Sequence, residues 1–223
     1  MNDFNFRTAT ITDIPFLVET IIEAEKSGTD KLSYSTVFGL SIDEVRKFIA
    51  AMLAEEVDGC ELSISSFLIA EQNGQIAAAL SAWVELCEGI PSNILKGNLL
   101  NFIIPKKYLE KAKEINPLIR ELHIDYSPNT IQIGAGYVAS QFRGNNLLGR
   151  LNNQIIANLL TVHPHVTHVC VQIFGSNIPS IRTYEKAGFE IGVIKESSNS
   201  KILDYLPFNK KVLMKKDFVN SKI

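Results

Sequence analysis

The sequence predicts an α/β (α+β) fold with a central mixed, mostly antiparallel sheet flanked by helices. Two apolar runs joined near Asn73-Gly74 predict an antiparallel hairpin, because that residue pair favours a tight turn. The second half alternates strand, helix, strand and helix, which places two strands in parallel with a right-handed crossover. A length of 223 residues, 46% hydrophobic and 21% charged, is enough to bury a substantial core.

The first half predicts one short strand, two amphipathic helices and the hairpin. Thr12 or Asp13 can cap the first helix, whose apolar residues recur at helical spacing. Ser41 and Glu44 form a capping-box pattern ahead of the second helix. The three predicted strands of this half are Phe4–Arg7, Ser66–Glu71 and Gln75–Glu85.

The segment Cys87–Asn129 interrupts this pattern with several prolines, and it predicts one charged helix around Lys106–Ile115. No linker-like composition separates it from its surroundings. We therefore predict an inserted cap or lid, residues 87–129, within a single domain of residues 1–223. The elements predicted after it are strand Thr130–Val138, helix Leu147–Leu160, strand His168–Phe174, helix Ile178–Ala187, and strands Phe189–Lys195 and Lys210–Lys215.

Composition and charge argue against several classes of function. No apolar stretch reaches the length of a membrane span and no signal-peptide pattern is seen, so no membrane partner is expected. Cys60, Cys87 and Cys170 are widely separated, which favours a cytoplasmic location over a disulfide framework. A net charge of −2 gives no support to nucleic-acid binding. The stretch from Tyr126 to Tyr184 contains no Asp or Glu, which suits a polyanionic ligand.

A glycine-rich stretch in the second half partly fits three phosphate-binding patterns. Gly134–Ala139 matches the dinucleotide fingerprint, but no acidic residue follows about 20 positions later. Gly144–Gly149 has the glycine spacing of a P-loop, but Arg150 and Leu151 replace its Lys and its Ser or Thr. The third pattern is the loop Gln141–Asn146 directly before a helix. There, free N–H groups and the helix dipole suit a pyrophosphate.

Two motifs carry a family resemblance. Gln141-Phe-Arg-Gly144-Asn-Asn146 and the segment Asn177–Phe189, which contains Tyr184, together resemble the GNAT superfamily of acyl-CoA-dependent N-acyltransferases. The first is similar to the family's pyrophosphate motif, with Asn146 where the family has Gly or Ala. The second matches the family's pattern at every position. The resemblance is clear over about Thr130–Glu190 and does not extend to the insert.

The resemblance implies acetyl-CoA, or another acyl-CoA, as co-substrate. Gly134 and Gly136 fit either close approach of the pantetheine arm or a structural bulge. A backbone N–H near Tyr137 or Val138 would polarise the thioester carbonyl. Asn177 is expected to cap a helix or to contact the cofactor. The predicted cofactor-binding residues are Gly136, Tyr137, Val138, Gln141, Phe142, Arg143, Gly144, Asn145, Asn146, Leu147, Leu148 and Asn177.

The resemblance also implies transfer of acetyl to a primary amine by direct attack in a ternary complex. Tyr184 is the implied general acid for the departing thiolate, and a packing role is the alternative. Family members often carry a carboxylate base where this chain has Gly134. Glu121, His123 and Asp125 are the nearest other candidates. A non-catalytic acyl-CoA sensor is the alternative function.

The sequence leaves the acceptor open between small-molecule and peptide amines, and it leaves a homodimer open. His163, His165 and His168 lie close together, but no acidic residue accompanies them. That composition is more typical of a solvated loop, so no metal is expected.

Overall fold

Seven strands form one sheet in the order β1-β2-β3-β4-β5-β7-β6 in a computed structural model that describes residues 3–87 and 89–218. Only β4 and β5 pair in parallel, and the other neighbours pair antiparallel. The predicted fold class is therefore confirmed. The strands are β1 Asn5–Thr8, β2 Phe67–Gln72, β3 Gln75–Val84, β4 Ile131–Val138, β5 His168–Phe174, β6 Glu190–Glu196 and β7 Lys210–Asp217.

Helices cover both faces of the sheet. They are α1 Ile14–Lys26, α2 Ser33–Phe38, α3 Ile42–Ala54, α4 Ser92–Ile103, α5 Lys106–Ile119, α6 Leu147–Val162 and α7 Ile178–Lys186. Side chains of β2 alternate between two cores, as the period of a strand requires. Leu68 and Ala70 pack with α6 and α7, whereas Phe67 and Ile69 pack with α1, α3 and α4.

Local hydrogen bonds explain where the N-terminal helices begin. Ser41 caps α3 as predicted: its hydroxyl accepts from the Glu44 N–H at 3.3 Å, and Glu44 accepts from the Ser41 N–H at 2.8 Å. Asp13 precedes α1, but its carboxylate binds elsewhere. It accepts from the Thr10 N–H at 2.7 Å and from the Arg7 guanidinium at 2.7 and 3.0 Å. This contact fixes β1 to the start of α1.

The insert contains two helices where the sequence predicted one. The predicted Lys106–Ile115 helix continues to Ile119, and α4 was not predicted because Gly97 interrupts its sequence. Glu85 anchors the insert to the sheet. Its buried carboxylate accepts from the Trp83 indole at 3.0 Å and from the Ser92 N–H at 3.0 Å. Because a buried carboxylate needs such donors, this contact holds the start of α4 against the end of β3.

Candidate active site

The parallel strands β4 and β5 separate about halfway along their length. They pair at three positions, the last being Ile133 opposite Val171. Beyond it, β4 continues to Val138 alongside β3, while β5 continues to Phe174 alongside β7. The inner edges of both strands therefore face a wedge-shaped gap, and their backbone polar groups there are not used by the sheet.

Two glycines of β4 have neighbours that explain them within the protein. The pairing of β3 and β4 shifts between Leu80 and Ala82, so a bulge lies at Gly134 and Ala135. A Cβ at Gly134 would come within 2.5 Å of the Ser81 hydroxyl, and one at Gly136 within 2.8 Å of the Leu80 side chain. The bulge is thus sufficient to explain why glycine occupies position 134. The Gly134 residue nevertheless also lines the cleft that runs along the gap.

The loop between β4 and α6 presents an array of N–H groups. Gly144 has φ +86° and Asn146 has φ +52°, so both adopt left-handed backbone conformations. Among the described residues, the N–H groups of Gly144 to Asn146 and of the first turn of α6 have no backbone acceptor. A Cβ at Gly144 would meet no atom within 4 Å, so the loop is open at this point. These properties fit an anionic group at the N-terminus of α6.

A cleft of about 1660 Å³ runs along this gap and is lined from both sides of the sheet. On one side the walls are α6, α7 and the loop before α6. On the other side they are α1, α2 and the insert, and insert residues in the wall include Lys96, Ala112, Asn116 and Tyr126. The cleft therefore passes through the sheet where β4 and β5 separate, and it is large enough for two ligands.

The predicted cofactor-binding residues divide into two groups. Those that line the cleft are Gly136, Arg143, Asn146, Leu148 and Asn177. The others do not line its walls: Tyr137, Val138, Gln141, Phe142, Gly144, Asn145 and Leu147. Some have evident packing roles: Phe142 packs edge-on against Phe4 at 6.1 Å, and Leu147 is buried in the core. Contact of these residues with a cofactor stays a prediction.

Asn177 caps α7, as one of the two predicted roles requires. Its side-chain oxygen accepts from the Ser180 N–H at 3.3 Å, and its amide donates to the Ser27 hydroxyl at 2.8 Å. Gly188 follows the same helix with φ +85°, the left-handed conformation expected after a helix C-terminus. Together these contacts fix both ends of α7 beside the cleft.

Three basic side chains line the α6 and α7 side of the cleft: Arg143, Lys186 and Lys216. Lys216 also donates to the carbonyl oxygen of Ala187 at 2.8 Å. Arg150 lies elsewhere, with its guanidinium 4.8 Å from the centre of the Phe6 ring. The sequence indicated Arg143 but missed the two lysines, which follow the acid-free stretch or lie far beyond it.

Tyr184 lies in the wall of the cleft on α7. Its ring packs edge-on against Phe189 with centroids 5.1 Å apart. Among the described residues, its hydroxyl makes no hydrogen bond. Burial raises the pKa of this phenol above its ordinary value near 10, so the hydroxyl keeps its proton at neutral pH. Tyr184 thus combines a packed ring with a protonated, unengaged hydroxyl.

The candidate bases differ in position. Glu121 accepts a hydrogen bond from the Ser197 hydroxyl at 2.5 Å, and Asp125 is exposed and pairs with His123 at 2.9 Å. Of the three, only His123 lines the cleft. Burial raises the pKa of Cys170 to about 11, so this thiol is protonated at neutral pH and is poorly suited as a nucleophile.

A set of charged side chains on the α1 and insert side of the cleft was not predicted. Glu61 and Lys96 form an ion pair there, and Glu25 accepts a hydrogen bond from Ser33. Lys211 of β7 also lines this side. These residues come from distant parts of the chain, so sequence spacing gave no signal that they would meet.

Among the described residues, no group of three or more His, Cys, Asp or Glu side chains is placed to hold a metal ion. No helix in the described ranges combines the length and the apolar character needed to cross a membrane.

The chain resembles solved acetyltransferase structures over nearly its whole length. An N-acetyltransferase from Staphylococcus aureus Mu50 is 14% identical with a TM-score of 0.65, over 95% of this chain and 100% of that one. A GNAT-family acetyltransferase from Streptococcus pneumoniae is 15% identical with a TM-score of 0.51, over 97% and 100%. A polyamine N-acetyltransferase from Drosophila melanogaster is 15% identical with a TM-score of 0.55, over 97% and 100%.

The chain therefore has the fold of the GNAT acetyltransferases, as its two motifs indicated. No protein-family model matches the sequence. No curated protein matches it either.

Proposed function

We propose that the chain is an acyl-CoA-dependent N-acetyltransferase that transfers acetyl from acetyl-CoA to a primary amine by direct attack in a ternary complex. The observation that carries this proposal is the gap between β4 and β5, which opens beside the unpaired N–H groups of Gly144 to Leu148. A pyrophosphate at these groups would direct the acyl end of the molecule into the gap. The fold shared with known acetyltransferases supports the same function.

The phosphate end of the site has the required chemistry. Loop N–H groups and the helix dipole would neutralise a pyrophosphate, and Arg143, Lys186 and Lys216 add positive charge. The free inner edge of β4 would pair with the amides of the pantetheine arm. A backbone N–H near Tyr137 or Val138 would donate to the thioester oxygen as negative charge develops there.

The reaction needs two proton transfers. The neutral amine attacks the thioester carbonyl, the carbon–sulfur bond breaks, and the amine nitrogen loses one proton. Tyr184 would give its hydroxyl proton to the departing thiolate and recover one through solvent. His123 is the one sequence-predicted base that lines the cleft, and it or water would take the amine proton. None of the described cysteines lines the cleft, which supports direct transfer rather than an acyl-cysteine route.

A two-stage experiment tests the function. Thermal unfolding with and without acetyl-CoA first measures binding, and a saturating ligand should raise the midpoint because it binds only the folded chain. A panel of primary amines is then incubated with acetyl-CoA, and released thiol is detected. Binding without thiol release for any amine would favour the acyl-CoA sensor. A lack of stabilisation by acetyl-CoA and by CoA would refute the proposal.

A further inference from the structure

The acceptor side of the cleft, which is formed by α1, α2 and the insert, contains three charged groups that form no ion pair within the described ranges. They are Glu25, Arg120 and Lys211. Glu61 and Lys96 beside them are already paired with each other. Because Glu25, Arg120 and Lys211 are not held in an ion pair by any described residue, a ligand that carries the opposite charge can form a charge-assisted hydrogen bond with them.

The strand register places Lys211 on the acceptor side of the sheet. Its neighbours Val212 and Met214 alternate with it along β7, and Val212 and Met214 belong to the core under α6 and α7. Lys211 lies opposite Phe174, the last residue of β5. Its ammonium therefore approaches the end of the gap from the face opposite the phosphate-binding loop.

The charges lining this side are balanced rather than acidic. Glu23 is neutralised by Lys26 at 2.7 Å, and Glu61 by Lys96. The lining groups on this side are three carboxylates and three cations: Glu23, Glu25, Glu61, Lys96, Arg120 and Lys211. A polyamine would need an excess of carboxylates, because each added ammonium must be compensated. A ligand with one positive and one negative group leaves the balance unchanged.

We infer that the acceptor is an amine that also carries a carboxylate, of the amino-acid type, with its carboxylate bound by Lys211 and its ammonium attracted by Glu25 before deprotonation. This inference rests on the proposed function and specifies the acceptor of the same cleft. Lysine provides a point charge for the carboxylate, and Glu25 is oriented by the Ser33 hydroxyl. The carboxylate would thus position the amine at the gap.

Matched substrates test the inference in the wild-type chain. An amino acid is compared with its carboxamide, which keeps the amine and removes the negative charge, and with a polyamine. Because amidation also lowers the pKa of the amine, the rates are compared per concentration of neutral amine. The expected preference for the carboxylate form is about 10- to 100-fold in kcat/KM, the range typical of a hydrogen bond to a charged group. Equal or faster acetylation of carboxamides or polyamines would overturn the inference and leave the proposed function standing.

A variant links the preference to one side chain. Lys211→Met should remove the preference by raising KM for the amino acid, with the carboxamide rate and the acetyl-CoA stabilisation unchanged. Lys195→Met is the matched control, since Lys195 lies opposite Lys211 on β6 but is exposed outside the cleft. If the methionine variant folds poorly, Lys211→Arg is used as a second variant. It should retain the preference because it keeps the positive charge. Equal loss for both substrates in Lys211→Met would assign Lys211 a structural role instead.

Discussion

Replacing Tyr184 with phenylalanine separates chemistry from packing at the candidate general acid. The ring of Tyr184 packs on Phe189 at 5.1 Å, and phenylalanine preserves that contact. Its hydroxyl forms no hydrogen bond with any described residue. Because no protein partner is left unsatisfied, the free energy of unfolding should change by less than about 1 kcal/mol.

The effect on turnover should be much larger. General acid catalysis contributes about 10²-fold or more, so kcat should fall by at least about 10²-fold, or about 2.7 kcal/mol in the barrier. Burial raises the pKa of Tyr184 above its ordinary value of about 10, so the acid stays protonated up to at least that pH. Any fall in wild-type kcat due to its ionisation should therefore appear only above about pH 10, and the variant should lack it.

Three measurements decide the outcome: kcat from thiol release, the unfolding midpoint, and acetyl-CoA affinity. Tyr205→Phe makes the same chemical change outside the walls of the cleft and should keep wild-type turnover. A Tyr184→Phe variant with near wild-type kcat would refute the acid role and favour water as the proton source. A loss of stability that parallels the loss of turnover would favour the packing role.

Three further predictions concern the loop, the insert and the N-terminal ion pair. Gly144→Glu should abolish stabilisation by acetyl-CoA. The control is Gly74→Glu, at an equally open left-handed position in the β2–β3 hairpin, which should lose only about 1 kcal/mol of stability and bind acetyl-CoA normally. Equal binding of acetyl-CoA by both variants would refute the loop site. In the insert, Ala112→Phe should raise the KM for the acceptor without changing acetyl-CoA affinity. Its control, Glu114→Phe on the exposed side of α5, should change neither quantity. Equal loss of both affinities in Ala112→Phe would contradict an insert role confined to the acceptor. Asp13, whose pKa is lowered to about 2 mainly by its hydrogen bond with a guanidinium, stabilises the fold at pH values above the ordinary carboxyl pKa. Asp13→Asn should therefore cost about 2 kcal/mol at neutral pH, and urea denaturation should show the difference shrinking as the pH falls from about 4 to about 2; a pH-independent difference would contradict the assignment.

The parts of the fold that local patterns specify were predictable from the sequence. The capping box at Ser41, the Asn73-Gly74 turn and the strand over His168–Phe174 were all confirmed, since each depends on residues close together in the chain. The start of α6 at Leu147 was also predicted correctly. Helix α4 was missed because it contains Gly97, and glycine interrupts helical patterns even where tertiary packing stabilises the helix.

The candidate site was predictable on one side only. Arg143, Gly144 and Tyr184 lie in two contiguous motifs, so a resemblance could locate them. The side proposed for the acceptor is lined by residues such as Glu25 and Lys211, which are far apart in the chain and come to one cleft only through the tertiary fold. No periodicity or spacing encodes that meeting.

The separation of β4 and β5 leaves an opening through the sheet, so the cleft connects its two faces. For the proposed reaction, CoA and the acceptor would approach from opposite faces and meet only within the thickness of one layer of strands. CoA could then leave from the face where acetyl-CoA entered, and the acetylated amine from the face where the acceptor entered. Neither product would obstruct the exit of the other. A single inhibitor joining the two substrates would have to pass between β4 and β5, beside Gly134, which lines the cleft.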